Sequence, residues 1–115
     1  MIIFLHNARC SKSREALKVM SESWKAFTLR EYLKWPLDLD ELEELREKLW
    51  IKAIDFTRTN ESEFKSCNLS KDSSDKEILK AMSRFPKLMQ RPIVYDEKKA
   101  FIWRPAEEIL KIFRK

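Results

Sequence analysis

Phe4-Leu5-His6-Asn7-Ala8-Arg9-Cys10-Ser11-Lys12-Ser13-Arg14-Glu15-Ala16-Leu17 is the stretch whose reading decides the fold. The apolar run over residues 1–5 has strand character and stops at His6-Asn7. A polar turn then delivers Cys10. From Lys12 the apolar period becomes helical, with Ala16, Leu17, Met20 and Trp24 on one side. Cys10 is therefore expected where a strand hands over to a helix, beside the helix N-terminus. Amide N–H groups at that end lack intrahelical partners and carry partial positive charge, which favours a thiolate. Arg9, Lys12 and Arg14 add formal charge close by. Thiolate is the nucleophilic form, so the setting fits a reactive cysteine with a lowered pKa. Polar neighbours on both sides argue against the alternative of a small buried residue at a strand end.

Downstream, residues 26–32 contain Phe27, Thr28, Leu29 and Tyr32 and read as a second strand. Strand, helix and strand in so short a span predict a βαβ unit with parallel pairing. Trp35-Pro36 breaks the pattern, and Asp38 or Asp40 can cap a helix whose Leu39, Leu42, Leu45 and Leu49 step by threes and fours. Ile51, Ile54 and Phe56 predict a short helix or turn, residues 61–67 another helical turn, and residues 68–74 a loop. Ser74 or Asp75 caps a further helix, with Ile78, Leu79, Met82 and Phe85 inward, that ends before Pro86. Two apolar runs around residues 96–99 then predict a hairpin, although its turn residues are poor ones. Pro105 opens a closing helix carrying Ala106, Ile109, Leu110 and Phe113.

The sum is βαβ, a helical block, then ββα. A mixed sheet with helices on its faces and Cys10 at the first strand–helix junction is an α/β, thioredoxin-like fold. The helical block, about residues 38–86, is an insertion in a single domain spanning 1–115. No repeat or linker divides the chain.

Composition narrows the class. A chain of 115 residues can bury a working core without staples. Cys10 and Cys67 stand too far apart in sequence to form a disulfide framework, and no cluster has the spacing of a metal site, so no metal is expected. No charged leader precedes an apolar stretch and no apolar run has bilayer length, so neither a signal peptide nor a membrane span is expected. A soluble protein of the reducing cytoplasm is the resulting expectation. The net charge of +5 comes from 24 Lys and Arg mixed with 19 acids, rather than from a basic stripe, so no direct nucleic-acid binding is expected. Glycine is absent. Phosphate-cradling glycine loops are excluded, and Asn7, Asn60, Asn68 and Asp96 are expected to cover positive-φ positions unless the turns avoid them.

Arg58, Arg91 and Arg104 stand at element boundaries. In a thioredoxin-like sheet the Pro92 segment lies against the nucleophile, commonly with a cis peptide bond, and this would aim Arg91 toward Cys10. Guanidinium forks suit tetrahedral oxyanions and do not lose their charge.

The sequence resembles the glutaredoxin-type arsenate reductases, which are grouped with the Spx-like regulators. The pieces that carry this are His6-Asn7-x-Arg9-Cys10-Ser11-Lys12-Ser13-Arg14, Thr57-Arg58-Thr59-Asn60-Glu61, Phe85-Pro86-Lys87-Leu88 with Gln90-Arg91-Pro92-Ile93, and Arg104-Pro105-x-Glu107. They match in order and spacing along nearly the whole chain. The resemblance implies that the Cys10 thiolate attacks arsenate or a similar oxyanion to give a covalent adduct. Glutathione then acts as co-substrate, with no bound cofactor, and glutaredoxin resolves the resulting disulfide. It implies that Arg58, Arg91 and Arg104 hold the oxyanion and that His6 helps depress the cysteine pKa. Asn7, Arg9, Ser13, Arg14 and Pro92 belong to the same site, and the protein is expected to be a monomer. Two alternatives stand beside this reading. An Spx-like regulator that binds RNA polymerase is disfavoured by Arg104 and by Ser13, which replaces the second cysteine of a Cys-x-x-Cys pair. A glutathione-dependent thiol oxidoreductase without arsenate activity is kept open by Trp103, which stands where the family commonly has glycine. Cys67 is taken as incidental and the aromatic residues at helical and strand spacing as core.

Overall fold

The computed structural model describes residues 2–23, 26–90 and 92–102. In chain order its elements are β1 (Ile3–His6), α1 (Ser11–Glu22), β2 (Thr28–Glu31) and α2 (Leu39–Leu49), then a 3-10 turn (Ala53–Phe56). There follow α3 (Ser62–Ser66), α4 (Asp75–Arg84), a second 3-10 turn (Pro86–Leu88), β3 (Ile93–Tyr95) and β4 (Ala100–Ile102). Trp24 and the closing helix expected from Pro105 lie outside the described residues. The chain divides into two compact units, one drawn from residues 1–35 and 91–115, the other from Pro36–Gln90.

The first unit is built on a four-stranded mixed sheet of order β2-β1-β3-β4. β1 pairs parallel with β2 and antiparallel with β3, and β3 pairs antiparallel with β4. This is the thioredoxin-like arrangement. A strand inside a sheet needs apolar residues on both faces, and Phe4 and Leu5 of β1 are fully buried. On α1, Ser13, Ala16 and Met20 face inward. Ala16 and Met20 join Phe4 and Val94 in a cluster flanked by Leu17, Val19, Phe27 and Phe101. Burying side chains such as Phe4 and Met20 contributes roughly 1.5–3 kcal/mol each. The β3–β4 turn is made by Asp96, whose carboxylate accepts from the N–H groups of Lys98 (2.8 Å) and Lys99 (2.9 Å). Desolvation opposes ionisation of that carboxyl, but the two amide donors win and hold it below its ordinary range.

The second unit is helical. Asp38 and Glu41 form a reciprocal capping box at the start of α2, and Ser74 and Glu77 form another on α4. Such boxes satisfy the free amide groups of a first turn. α2 packs on α4, and Leu42, Leu45, Ile78, Leu79 and Met82 are buried. Residues 56–58 run antiparallel to residues 88–90, joined by a Thr57–Met89 bridge, by Arg58 N–H to Leu88 C=O (2.6 Å) and by Gln90 N–H to Phe56 C=O (2.8 Å).

Among the described residues, positive φ occurs at Asn68, one of the four positions expected, and at Trp50, which was not among them, while the turns at Asn7, Asn60 and Asp96 avoid it. Asn7 and Asp96 instead shape their turns through side-chain carbonyl and carboxylate acceptors. Trp35 and Trp50, neither of them on an apolar face read from the sequence, are 71% and 91% exposed.

Candidate active site

β1 ends at His6, and the next residue does most of the work of shaping the loop. The Asn7 carbonyl accepts the Cys10 N–H at 3.0 Å, closing a β-turn over residues 7–10. The Asn7 side-chain oxygen accepts the Arg9 N–H at 3.0 Å. The Asn7 N–H itself donates to the Ser13 hydroxyl at 2.9 Å. Asparagine suits this place because its short side chain reaches the amide two residues on. Arg14 closes the loop from the helix side, donating from Nη1 to the Ala8 carbonyl at 2.9 Å.

Cys10 is the residue that opens α1. Its backbone is extended, with φ −98° and ψ 123°, and its carbonyl accepts the Arg14 N–H at 3.0 Å. The thiol is half-buried and not in a disulfide. Position and exposure together put a sulfur at the positive end of a twelve-residue helix.

Beneath the loop, His6 and Ser13 are buried, and His6 Nδ1 is hydrogen-bonded to Ser13 Oγ at 2.7 Å. Burial lowers the His6 pKa from its usual value. Glu31, its register partner on β2, opposes the shift and Arg14 reinforces it. The imidazole is thereby held neutral near pH 7. Pro92 is also buried and immediately precedes β3. Leu5 pairs with Ile93, so continuing that register by one residue sets Pro92 across from His6.

Of the residues singled out from the sequence, the structure thus gathers His6, Asn7, Arg9, Ser13 and Arg14 about the Cys10 turn, with Pro92 on the neighbouring strand. Arg58 belongs to the other compact unit. There its guanidinium pairs with Glu61 at 2.7 Å, both side chains less than a third exposed. Arg91 and Arg104 lie outside the described residues.

Four participants were not read from the sequence. Glu61 partners Arg58, and the signal was present in their spacing of three across a turn. Glu31 reaches His6 only through strand register, which no local pattern reveals. Glu31, Leu33 and Lys34 also line a groove of about 390 Å³ whose other wall is His6, Asn7, Ala8 and Arg9. Among the described residues no group of three or more His, Cys, Asp or Glu is placed to hold a metal ion. No helix among them is long and apolar enough to cross a membrane.

Comparison with known proteins adds four observations. The sequence model of the ArsC family matches residues 5–112. An Escherichia coli K12 protein called YfgD, described only as uncharacterized, is 40% identical over 109 residues, covering 93% of this chain and 92% of its own. An arsenate reductase of Haemophilus influenzae is 37% identical over 113 residues, covering 96% of this chain and 97% of its own. Among solved structures, an arsenate reductase from Vibrio cholerae superimposes with a TM-score of 0.90 at 34% identity, over 96% of each chain.

Proposed function

The chain belongs to the ArsC family, and from that premise we propose that it reduces arsenate or a similar oxyanion at Cys10, with glutathione as the external thiol. The observation that carries this reading is the place of Cys10, a half-buried, unbridged thiol opening α1 directly after the central strand. A thiolate there is stabilised by the helix N-terminus and is an activated nucleophile.

In the proposed cycle the Cys10 thiolate attacks arsenic(V), an oxygen departs as water and a sulfur–arsenic bond forms. The glutathione thiolate then attacks the Cys10 sulfur. The sulfur–arsenic bond breaks with its electron pair left on arsenic, arsenite departs, and a Cys10–glutathione disulfide remains. Two thiols have supplied the two electrons. Glutaredoxin, with further glutathione, returns Cys10 to the thiol. Arg58, Arg91 and Arg104 are assigned the oxyanion and its developing charge on the strength of their sequence motifs. His6, Asn7, Arg9, Ser13, Arg14 and Pro92 are assigned to shaping the nucleophile's surroundings. The protein works as a monomer in the cytoplasm, without a bound cofactor.

The regulator alternative gains nothing from the geometry. A resolving cysteine would stand at residue 13, and there Ser13 is buried and bonded to His6 and Asn7.

The deciding experiment is arsenite production from arsenate in the presence of glutathione and glutaredoxin, with Cys10→Ser as the baseline. Turnover well above that baseline is the expected result. Turnover equal to it, with Cys10 still alkylated readily at neutral pH, removes arsenate and leaves a thiol oxidoreductase.

A further inference from the structure

We propose that the groove between the Cys10 turn and the segment after β2 docks the thiol co-substrate, an anionic peptide thiol of the glutathione class. The assignment rests on the thiol chemistry proposed for Cys10.

The argument begins with where the groove lies. One wall is His6, Asn7, Ala8 and Arg9 and the other is Glu31, Leu33 and Lys34, around a volume of about 390 Å³. That volume falls within the ordinary range for small-molecule sites, roughly 300–1,000 Å³. Asn7 and Cys10 are the two ends of one hydrogen-bonded turn, and such a turn holds its end Cα atoms within about 7 Å. Three extended residues span roughly 10 Å. A tripeptide anchored in the groove therefore has the length to reach the Cys10 end of that turn.

The lining chemistry matches the same class of molecule. Glutathione carries two carboxylates and one ammonium group at neutral pH. Arg9 and Lys34 offer two cations, Glu31 one anion, and Leu33 is 41% exposed where it can cover the apolar stem. Lys34 and Glu31 face each other at 3.6 Å with the lysine side chain 71% exposed. A pair that long and that wet is weak and readily exchanged. An incoming carboxylate can take Lys34 and leave Glu31 to the ammonium group. A neutral thiol of similar size finds none of these partners.

The test follows Cys10 through a reaction that contains no arsenic. The Cys10 thiolate attacks one sulfur of a symmetric disulfide, that sulfur–sulfur bond breaks, a mixed disulfide forms on Cys10 and one thiolate leaves. Rates are measured by mass spectrometry of the Cys10 peptide, with glutathione disulfide and with neutral 2-hydroxyethyl disulfide. Lys34→Glu is expected to slow the glutathione reaction at least fivefold while the neutral reaction changes less than twofold. Lys34→Arg keeps the unmodified ratio. Lys18→Glu, the same charge change on the exposed face of α1, is expected to alter the ratio less than twofold. An unchanged ratio in Lys34→Glu overturns the proposal, as does an equal fall in Lys18→Glu, which would make the effect one of net charge alone. A Cys10 inert to both disulfides overturns it together with the proposed thiol chemistry. A shifted ratio in a protein that yields no arsenite supports the groove while refuting the arsenate reading.

Discussion

His6 Nδ1 lies 2.7 Å from Ser13 Oγ inside the protein, although the two residues are seven apart in sequence. The bond ties the end of the central strand to the first turn of α1. Because Ser13 also receives the Asn7 N–H, one hydroxyl fixes both sides of the turn that carries Cys10. Replacing it with Ser13→Ala leaves a buried imidazole nitrogen and the Asn7 amide short of a partner. Leaving the buried nitrogen unsatisfied costs about 1–3 kcal/mol, while the part-buried Asn7 amide can turn to water. Urea unfolding is expected to show a destabilisation in that range, and Cys10 alkylation at fixed pH is expected to change its rate as the turn loosens. A variant with unchanged stability would mean that the hydroxyl is dispensable.

The same buried imidazole makes stability depend on pH in a stated direction. Burial is the main cause that lowers the His6 pKa in the fold, with Glu31 opposing and Arg14 assisting. The unfolded chain, with an ordinary value of about 6.5, then binds the proton at a pH where the fold still refuses it. Stability is therefore full above the unfolded pKa and falls as the pH drops toward the folded one. The sequence contains a single histidine, so its NMR titration is unambiguous. Arg14→Gln is expected to raise the His6 pKa and Glu31→Gln to lower it further. Shifts of the opposite sign would refute the charge arrangement described here.

Trp50 ends α2 with φ 60° and ψ 35°, its N–H donating to the Arg46 and Glu47 carbonyls. A helix end of this kind calls for glycine, the sequence has none, and a 91% exposed tryptophan takes the place. Left-handed backbone costs a residue with a Cβ roughly 1–2 kcal/mol. Trp50→Gly is expected to raise stability by about 0.5–1 kcal/mol, part of the gain being offset by the greater freedom of glycine in the unfolded chain. The midpoint of urea unfolding measures it, and a fall would show that the indole contributes contacts worth more than the strain.

Why some features could be read in advance and others not follows from the range of the forces involved. The strand-to-helix change at Cys10 is local: apolar periodicity switches within a few residues, and the α1 boundary falls one residue before the Lys12 expected for it. The caps at Asp38 and Ser74 are equally local, since each needs only a glutamate three residues on. The Asp96 turn looked poor because its solution is one carboxylate taking two amides, which sequence shows only as a charged run. The left-handed end of α2 at Trp50 was not legible, because a positive φ usually shows in sequence as glycine or asparagine and here an exposed tryptophan stands there. Register is the least legible feature. His6 opposite Glu31 and Pro92 carried to the level of His6 are relations between strands, settled only when the whole sheet assembles.

Arg58 supplies the last expectation. Its guanidinium is engaged by Glu61 at 2.7 Å, and its own amide is fixed to the Leu88 carbonyl. If Arg58 binds the oxyanion, Glu61 competes for the same donors with a charge of the same sign. Glu61→Gln removes the competing charge while keeping the shape. The pair is partly exposed, so stability is expected to change by no more than about 1 kcal/mol. With the guanidinium released, KM for arsenate is expected to fall about two- to fivefold with kcat altered less than twofold, because the gain is in ground-state binding. Steady-state arsenite production over a range of arsenate concentrations separates the two constants. A rise in KM would assign Glu61 the opposite part, that of holding the arginine in its binding position. A change in neither constant would place Arg58 outside the oxyanion site.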